Sequence, residues 1–230
     1  MEIVSEKSDL DYREKIQRNI EKIKSDIPDD VTLVAVTKMH TVNETQAVVD
    51  AGVYDLGENR EQDLMAKKDK IQGPVRWHFI GHLQTNKVKY LVGQVALIHS
   101  ISSMKLINKV ETESEKKDVV TDILLQFNLA DEDTKSGFDA TELDAAVSRV
   151  AQCAHIRLRG LMCIGPMTEN SDKIHKIFAQ LKQMYDKIKI TYKNGDNEID
   201  TLSMGMTNDY PIAVEEGATM IRVGRKIFER

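Results

Sequence analysis

The chain has 230 residues, 41% of them hydrophobic and 30% charged, and a formal net charge of −5 at pH 7. That length supports one compact domain spanning residues 1–230 with a substantial core, and the balance is that of a globular rather than a disordered chain. The acidic balance argues against a nucleic-acid backbone as partner, and no apolar run reaches the length of a membrane span.

The first residues carry acids and lack the basic-then-apolar order of a secretory signal, so a cytoplasmic chain is expected. Leu10, Ile16, Ile20, Ile23 and Ile27 recur near helical spacing among polar residues, which predicts an N-terminal amphipathic helix ended by Pro28. The run Val31–Val36 is apolar without alternation, as in a strand covered on both faces. Similar strands are predicted near 31–37, 53–57, 75–80, 95–100, 119–127, 156–164, 199–204 and 219–223. Helices are predicted between them near 43–51, 60–69, 84–91, 103–116, 139–153, 172–190 and 208–216, with loops at 131–137 and 193–197. Eight strands alternating with helices fit a (β/α)8 TIM barrel with an extra N-terminal helix better than the runner-up, an open doubly wound sheet. The pairs Lys67-Lys68 and Lys116-Lys117 sit beside acids and read as solvated helix faces, and Cys163 lies in an apolar run and reads as packing. Cys153 and Cys163 show neither metal-ligand nor disulfide spacing.

Polar residues gather where these strands end: Lys38 and His40, Glu58-Asn59-Arg60, His78 and His82, His99-Ser100, Asn128, Ser203 to Asp209, and Arg222 to Arg225. In a parallel barrel those ends share the face that carries ligands. Lys38 follows an apolar strand, so its stem belongs in the barrel and its amine at the mouth. Partial burial and a nearby cation would favour the neutral amine that attacks an aldehyde. A snorkelling surface lysine is the competing interpretation. Gly205 and Gly224 allow close backbone approach to an anion, Thr207 adds a hydroxyl, and a helix opening near Asn208 would aim its positive end there. Arg222, two residues before Gly224, faces inward and needs an acceptor, for which a substrate carboxylate, Glu58 and a ring nitrogen are candidates. His78 and His82 lack the helical geometry of a metal pair, and His99 reads as a hydrogen-bonded lining residue. No nucleophile elbow, dinucleotide fingerprint or P-loop is present, which leaves lysine–aldehyde chemistry with phosphate binding as the best use of the face.

At these motifs the chain resembles the pyridoxal phosphate homeostasis family, whose barrel is like the N-terminal domain of alanine racemase. The matching segments are LVAVTKMH (33–40), GENREQD (57–63), WHFIGHLQTNKVK (77–89), HSISS (99–103), GLMCIGP (160–166) and LSMGMTNDYPIAVEEGATMIRVGRKIF (202–228). The resemblance implies pyridoxal 5′-phosphate as cofactor, held as an aldimine on Lys38. It further implies Arg222 facing the pyridine nitrogen, Ser203, Gly205, Thr207 and Gly224 at the phosphate, and Asn59 and His82 in the pocket lining. A guanidinium is a poor proton donor and makes the cofactor a weak electron sink. The implied role is a non-catalytic carrier, expected to act as a monomer, that buffers the cofactor or passes it to amino acids or cofactor-dependent enzymes in transient contacts. Two alternatives stay open: an amino-acid racemase-like enzyme with Lys38 as one base and His82 or His99 as the other, and a phosphosugar lyase. The chain departs from the family pattern at Arg60, Ser102, Thr207, Arg225 and Glu229, of which Arg225 bears most on function, by adding a phosphate contact or by crowding the site.

Overall fold

A computed structural model describes residues 2–130, 136–192 and 198–230. Eight parallel strands close into a barrel in sequence order: β1 (Thr32–Val36), β2 (Asp55–Glu58), β3 (Arg76–Phe79), β4 (Leu97–Ile101), β5 (Thr121–Phe127), β6 (Ile156–Cys163), β7 (Thr201–Ser203) and β8 (Met220–Val223). The circle is completed by β8 against β1, with Val34 beside Arg222. All eight predicted strands are present, and the closed sheet decides between the two architectures in favour of the (β/α)8 barrel.

The helices are α1 (Glu2–Ser25), α2 (Val42–Asp50), α3 (Glu61–Lys68), α4 (Val88–Leu91), α5 (Met104–Lys117), α6 (Leu143–Ala151), α7 (Ser171–Thr191), α8 (Tyr210–Glu215) and α9 (Arg225–Phe228). Local chemistry starts several of them. Thr41 and Glu44 form a reciprocal capping box on α2, and Ser103 and Asn170 cap α5 and α7 with their side-chain oxygens. The α7 stripe of Ile174, Ile177, Phe178, Leu181, Met184, Tyr185 and Ile188 is buried as its spacing predicts. On α1, Ile16, Ile20 and Ile23 are fully covered, and the helix stops at Ser25, ahead of Pro28. Two details differ from the sequence expectation. The helix near 84–91 is a single turn, and the chain makes one further turn, α9, after β8. The predicted loops at 131–137 and 193–197 fall largely outside the described residues.

Two apolar layers result. Strand side chains facing outward join the helices in one large core, while Val34, Leu97, Leu124, Met162 and Met220 form a smaller cluster inside the barrel. Register then identifies the other inward positions. Arg222 lies beside Val34, Ser203 between Met162 and Met220, and His78 between Gly57 and Leu97. Residues paired across neighbouring strands point the same way, so these polar side chains enter the barrel interior.

Candidate functional site at the barrel mouth

The polar residues expected in one cluster occupy two levels. Lys38, Asn59, His82, Gly205, Thr207 and Gly224 lie on the segments that leave the carboxyl ends of the strands, whereas His78, His99, Ser203 and Arg222 lie within the strands. Lys38 comes just after β1 and is exposed rather than partly buried. The next residue, Met39, is 94% exposed with φ 67°, a left-handed conformation uncommon outside glycine. His40 returns the chain to the barrel by stacking on Phe228, with ring centroids 3.5 Å apart.

Beneath this segment is a clamp that the sequence pattern does not reveal. Lys67, expected on a solvated face, is buried and donates to the Thr37 carbonyl at 2.7 Å and to Glu58 Oε1 at 2.6 Å. Thr37 Oγ1 donates to the same carboxylate oxygen at 2.7 Å. Glu58 is fully buried on the outer side of the barrel wall, so it is engaged by Lys67 and is no partner for Arg222. One α3 side chain thus ties together the ends of β1 and β2, which carry Lys38 and Asn59.

Arg222 is 4% exposed and held at two points: Nη1 donates to Ser203 Oγ at 2.7 Å and Nη2 to the Cys163 carbonyl at 2.9 Å. Burial draws its pKa below the usual arginine value, against the opposing field of Cys163 and Asp209, and the guanidinium remains a cation. Ser203 was grouped by resemblance with the phosphate turn; its hydroxyl instead lies in the interior, shared between Arg222 and His99. His99 is fully buried, as expected of a lining residue, and burial followed by the fields of His78 and Arg222 pushes its pKa well below the ordinary imidazole value. The sign of the pH effect follows. Below about pH 6.5 the unfolded chain protonates this ring and the folded one does not, so stability is lost as the pH is lowered, by up to about 1.4 kcal/mol per unit. Chemical denaturation between pH 7.5 and 5.5 should show this slope reduced in His99→Asn.

The turn after β7 is built for close approach. Gly205 has φ 89°, and a Cβ there would lie 2.5 Å from Ala213 Cβ and 2.9 Å from Tyr210 Cα. Gly205→Ala is expected to cost about 1–3 kcal/mol in urea unfolding through strain and overpacking. The turn's anion-binding helix differs from expectation. The six-residue α8 begins at Tyr210, and Asp209 turns a carboxylate oxygen back onto the Met206 N–H at 2.5 Å. Gly224 passes close to β1, where a Cβ would sit 3.1 Å from the Val36 carbonyl oxygen. Thr207 is half-buried, and Arg225 is exposed and reaches Asn208 Oδ1 at 3.3 Å. Two adjoining clefts of about 630 Å³ each share Asn208 and Arg225, one of them also lined by Thr207 and His40; neither is lined by Lys38 or Arg222.

The remaining predicted residues stand around the rim. Asn59 is half-buried, and its backbone is so near Gly81 that a Cβ on Gly81 would lie 2.0 Å from the Asn59 carbonyl oxygen. His82 is exposed and its Nδ1 is 2.9 Å from Ser136 Oγ. Arg60 is exposed at the start of α3, and Glu229 offers its carbonyl to Asn19 on α1. Cys163 is buried and reads as packing; the Cys153 thiol is pushed up to about 11, chiefly by burial, which leaves little thiolate at neutral pH.

Residues 12–229 match the family model for the alanine racemase N-terminal domain. A pyridoxal phosphate homeostasis protein of Helicobacter pylori (strain 26695) is 36% identical over 228 residues, which cover 96% of this chain and 99% of that protein. The chain belongs to the pyridoxal phosphate homeostasis protein family. Among solved structures, the family member PipY of Synechococcus elongatus PCC7942 with PLP bound superposes with a TM-score of 0.84 at 30% identity, covering 93% of this chain and 99% of that one. Alanine racemase from Clostridium difficile 630 shares the fold alone, at 13% identity and a TM-score of 0.78, and the match covers 59% of its length. Both structure matches span 93% of this chain, but the homeostasis protein is matched over nearly its own full length and the racemase over little more than half of its own.

Proposed function

We propose that this chain binds pyridoxal 5′-phosphate at the barrel mouth and serves as an exchangeable store of it, working as a single domain. The observation that carries this is the placing of an exposed primary amine, Lys38, just past the end of β1, with a buried and doubly anchored guanidinium, Arg222, on β8, the strand that pairs with β1. When bound, the cofactor supplies an aldehyde that condenses reversibly with amines and an electron-withdrawing pyridine ring. Lys38 is the covalent attachment point. Arg222 would face the ring nitrogen, and Gly205, Thr207 and Gly224, on the β7 and β8 turns, would hold the phosphate. Asn59 and His82 line the rim, and Ser203 acts by holding Arg222.

The site's fit to a carrier rather than a racemase rests on its acid–base groups. Arg222 is donor-only and leaves the ring nitrogen unprotonated, which limits carbanion stabilisation. His99 is locked in the interior, while His82 is held to Ser136 on the rim, so neither is placed as a second base by the contacts they make. An exposed lysine is open to competing amines, which suits release to amino acids or to cofactor-dependent enzymes met in transient contact. No helix among the described residues is long and apolar enough to cross a membrane.

Loaded protein mixed with the apo form of a pyridoxal-phosphate enzyme should restore that enzyme's activity. The same loaded protein should leave the Cα proton of added amino acids unexchanged in deuterated water. Lys38-dependent exchange would instead establish the racemase-like reading.

A further inference from the structure

Five side chains on five strands form an unbroken hydrogen-bonded row through the barrel interior. Arg222 Nη1 lies 2.7 Å from Ser203 Oγ, which lies 3.0 Å from His99 Nδ1. His99 Nε2 is 2.9 Å from His78 Nδ1, and His78 Nε2 is 2.8 Å from Asp55 Oδ1. At the far end Asp55 also accepts from Arg76, whose side chain is 64% exposed. The row thus begins in solvent at the amino ends of the strands and finishes at the guanidinium under the mouth.

Arginine has no acceptor, and this gives the row a direction. Ser203 Oγ must accept from Arg222, so its own hydrogen is available to His99 Nδ1. His99 then carries its proton on Nε2 and donates to His78 Nδ1, and His78 donates from Nε2 to the Asp55 carboxylate. In this polarity each ring needs only one proton, and each contact has one donor and one acceptor. The reverse polarity would need both nitrogens of His78 protonated and would leave the Ser203 hydroxyl hydrogen without an acceptor in the row. The depressed pKa of His99 agrees with the neutral arrangement.

We propose that Asp55, His78 and His99 are positioning residues for Arg222: the carboxylate orders both rings and the Ser203 hydroxyl, and so fixes the contact that holds the guanidinium beneath the cofactor. This rests on the assignment of Arg222 to the ring nitrogen. Aligned hydrogen bonds polarise one another in a low-dielectric interior, so the anion at one end strengthens Ser203 as an acceptor at the other. Side chains that merely filled the barrel would be indifferent to the charge on Asp55.

The test begins with the unliganded protein, in which imidazole ¹⁵N–¹H correlation spectra should show His78 and His99 both carrying the proton on Nε2. Asp55→Asn, nearly isosteric, should move the His99 resonances two links away, while Arg76→Gln, which spares the carboxylate, should leave both rings in the same tautomer. In titrations with pyridoxal phosphate, Asp55→Asn should weaken binding by up to about tenfold, the weight of one charge-assisted hydrogen bond, and shift the bound cofactor's absorbance. In a Ser203→Ala background the same substitution should have little further effect, because the row is already cut. A proton on Nδ1 of either ring, or an Asp55→Asn effect of equal size in both backgrounds, would overturn the proposal. The tautomer measurement needs no cofactor, so failure of the wild type to take up pyridoxal phosphate counts against the function proposed above, and a wrong tautomer against the row. Should Asp55→Asn not fold, the wild-type tautomers still decide.

Discussion

Lys38→Ala is expected to abolish covalent cofactor attachment while leaving the barrel folded. The side chain is exposed beyond the end of β1, and no hydrogen bond or ion pair of its own to the described residues anchors the strand. Truncating such a residue removes no core contact, so stability should stay within about 0.5 kcal/mol of wild type. Wild-type protein loaded with pyridoxal phosphate should show an absorbance band that borohydride removes, with the reduced cofactor mapped to Lys38 by mass spectrometry. The variant should retain binding only through the phosphate and ring contacts, about a hundredfold weaker, equivalent to about 2.7 kcal/mol. Labelling of a different lysine would move the site, and a wild-type protein that stays colourless after incubation would favour the phosphosugar reading.

Lys67→Ala should produce the largest loss of stability of any single substitution on the mouth side. It removes the cation from a fully buried carboxylate and also takes away one of the two donors to the Thr37 carbonyl, which keeps only the His40 N–H at 3.1 Å. Breaking a buried pair from one side costs about 3–5 kcal/mol, because the remaining charge has lost its compensation. Glu58 Oε2 already has no hydrogen-bond partner among the described residues, which leaves this carboxylate unusually dependent on the lysine. Urea unfolding at constant m-value is the measurement. The double variant Glu58→Gln/Lys67→Met should recover much of the loss, since a neutral amide still accepts from Thr37 Oγ1. A change below about 1 kcal/mol in the single variant would mean that water replaces the ammonium.

The barrel itself was legible from unalternating apolar strands and helices of steady spacing, because burial on both faces leaves that pattern in each segment. The site was legible in part. Lys38 and the turn glycines follow their strands directly, so position along the chain places them. The vertical arrangement was legible only for Arg222, whose spacing from Gly224 turned it inward; Ser203 read as a strand-end residue, and its register with Met162 lowers it into the interior. Lys67 was misplaced for a similar reason. Its neighbour Lys68 is half-buried, and a basic pair on a helix carries no mark of which member turns inward to meet an acid nine residues earlier in the chain. The single turn after β8 is too short to leave a periodic signal, and it is fixed by distant partners: Tyr12 and Asn19 of α1 bond the carbonyls of Phe228 and Ile227.

Closure of β8 onto β1 has a consequence for the order of events in the cell. Of the eight strands, the one leading to Lys38 is made first and the one bearing Arg222 last. Until then one edge of β1 has no neighbour, and the pairing of Val34 with Arg222 spans nearly the whole chain. Such distant contacts form late in folding. A nascent chain therefore presents the Lys38 amine before the Arg222 guanidinium and the Gly224 turn exist, so the proposed site is complete only once β8 has closed onto β1.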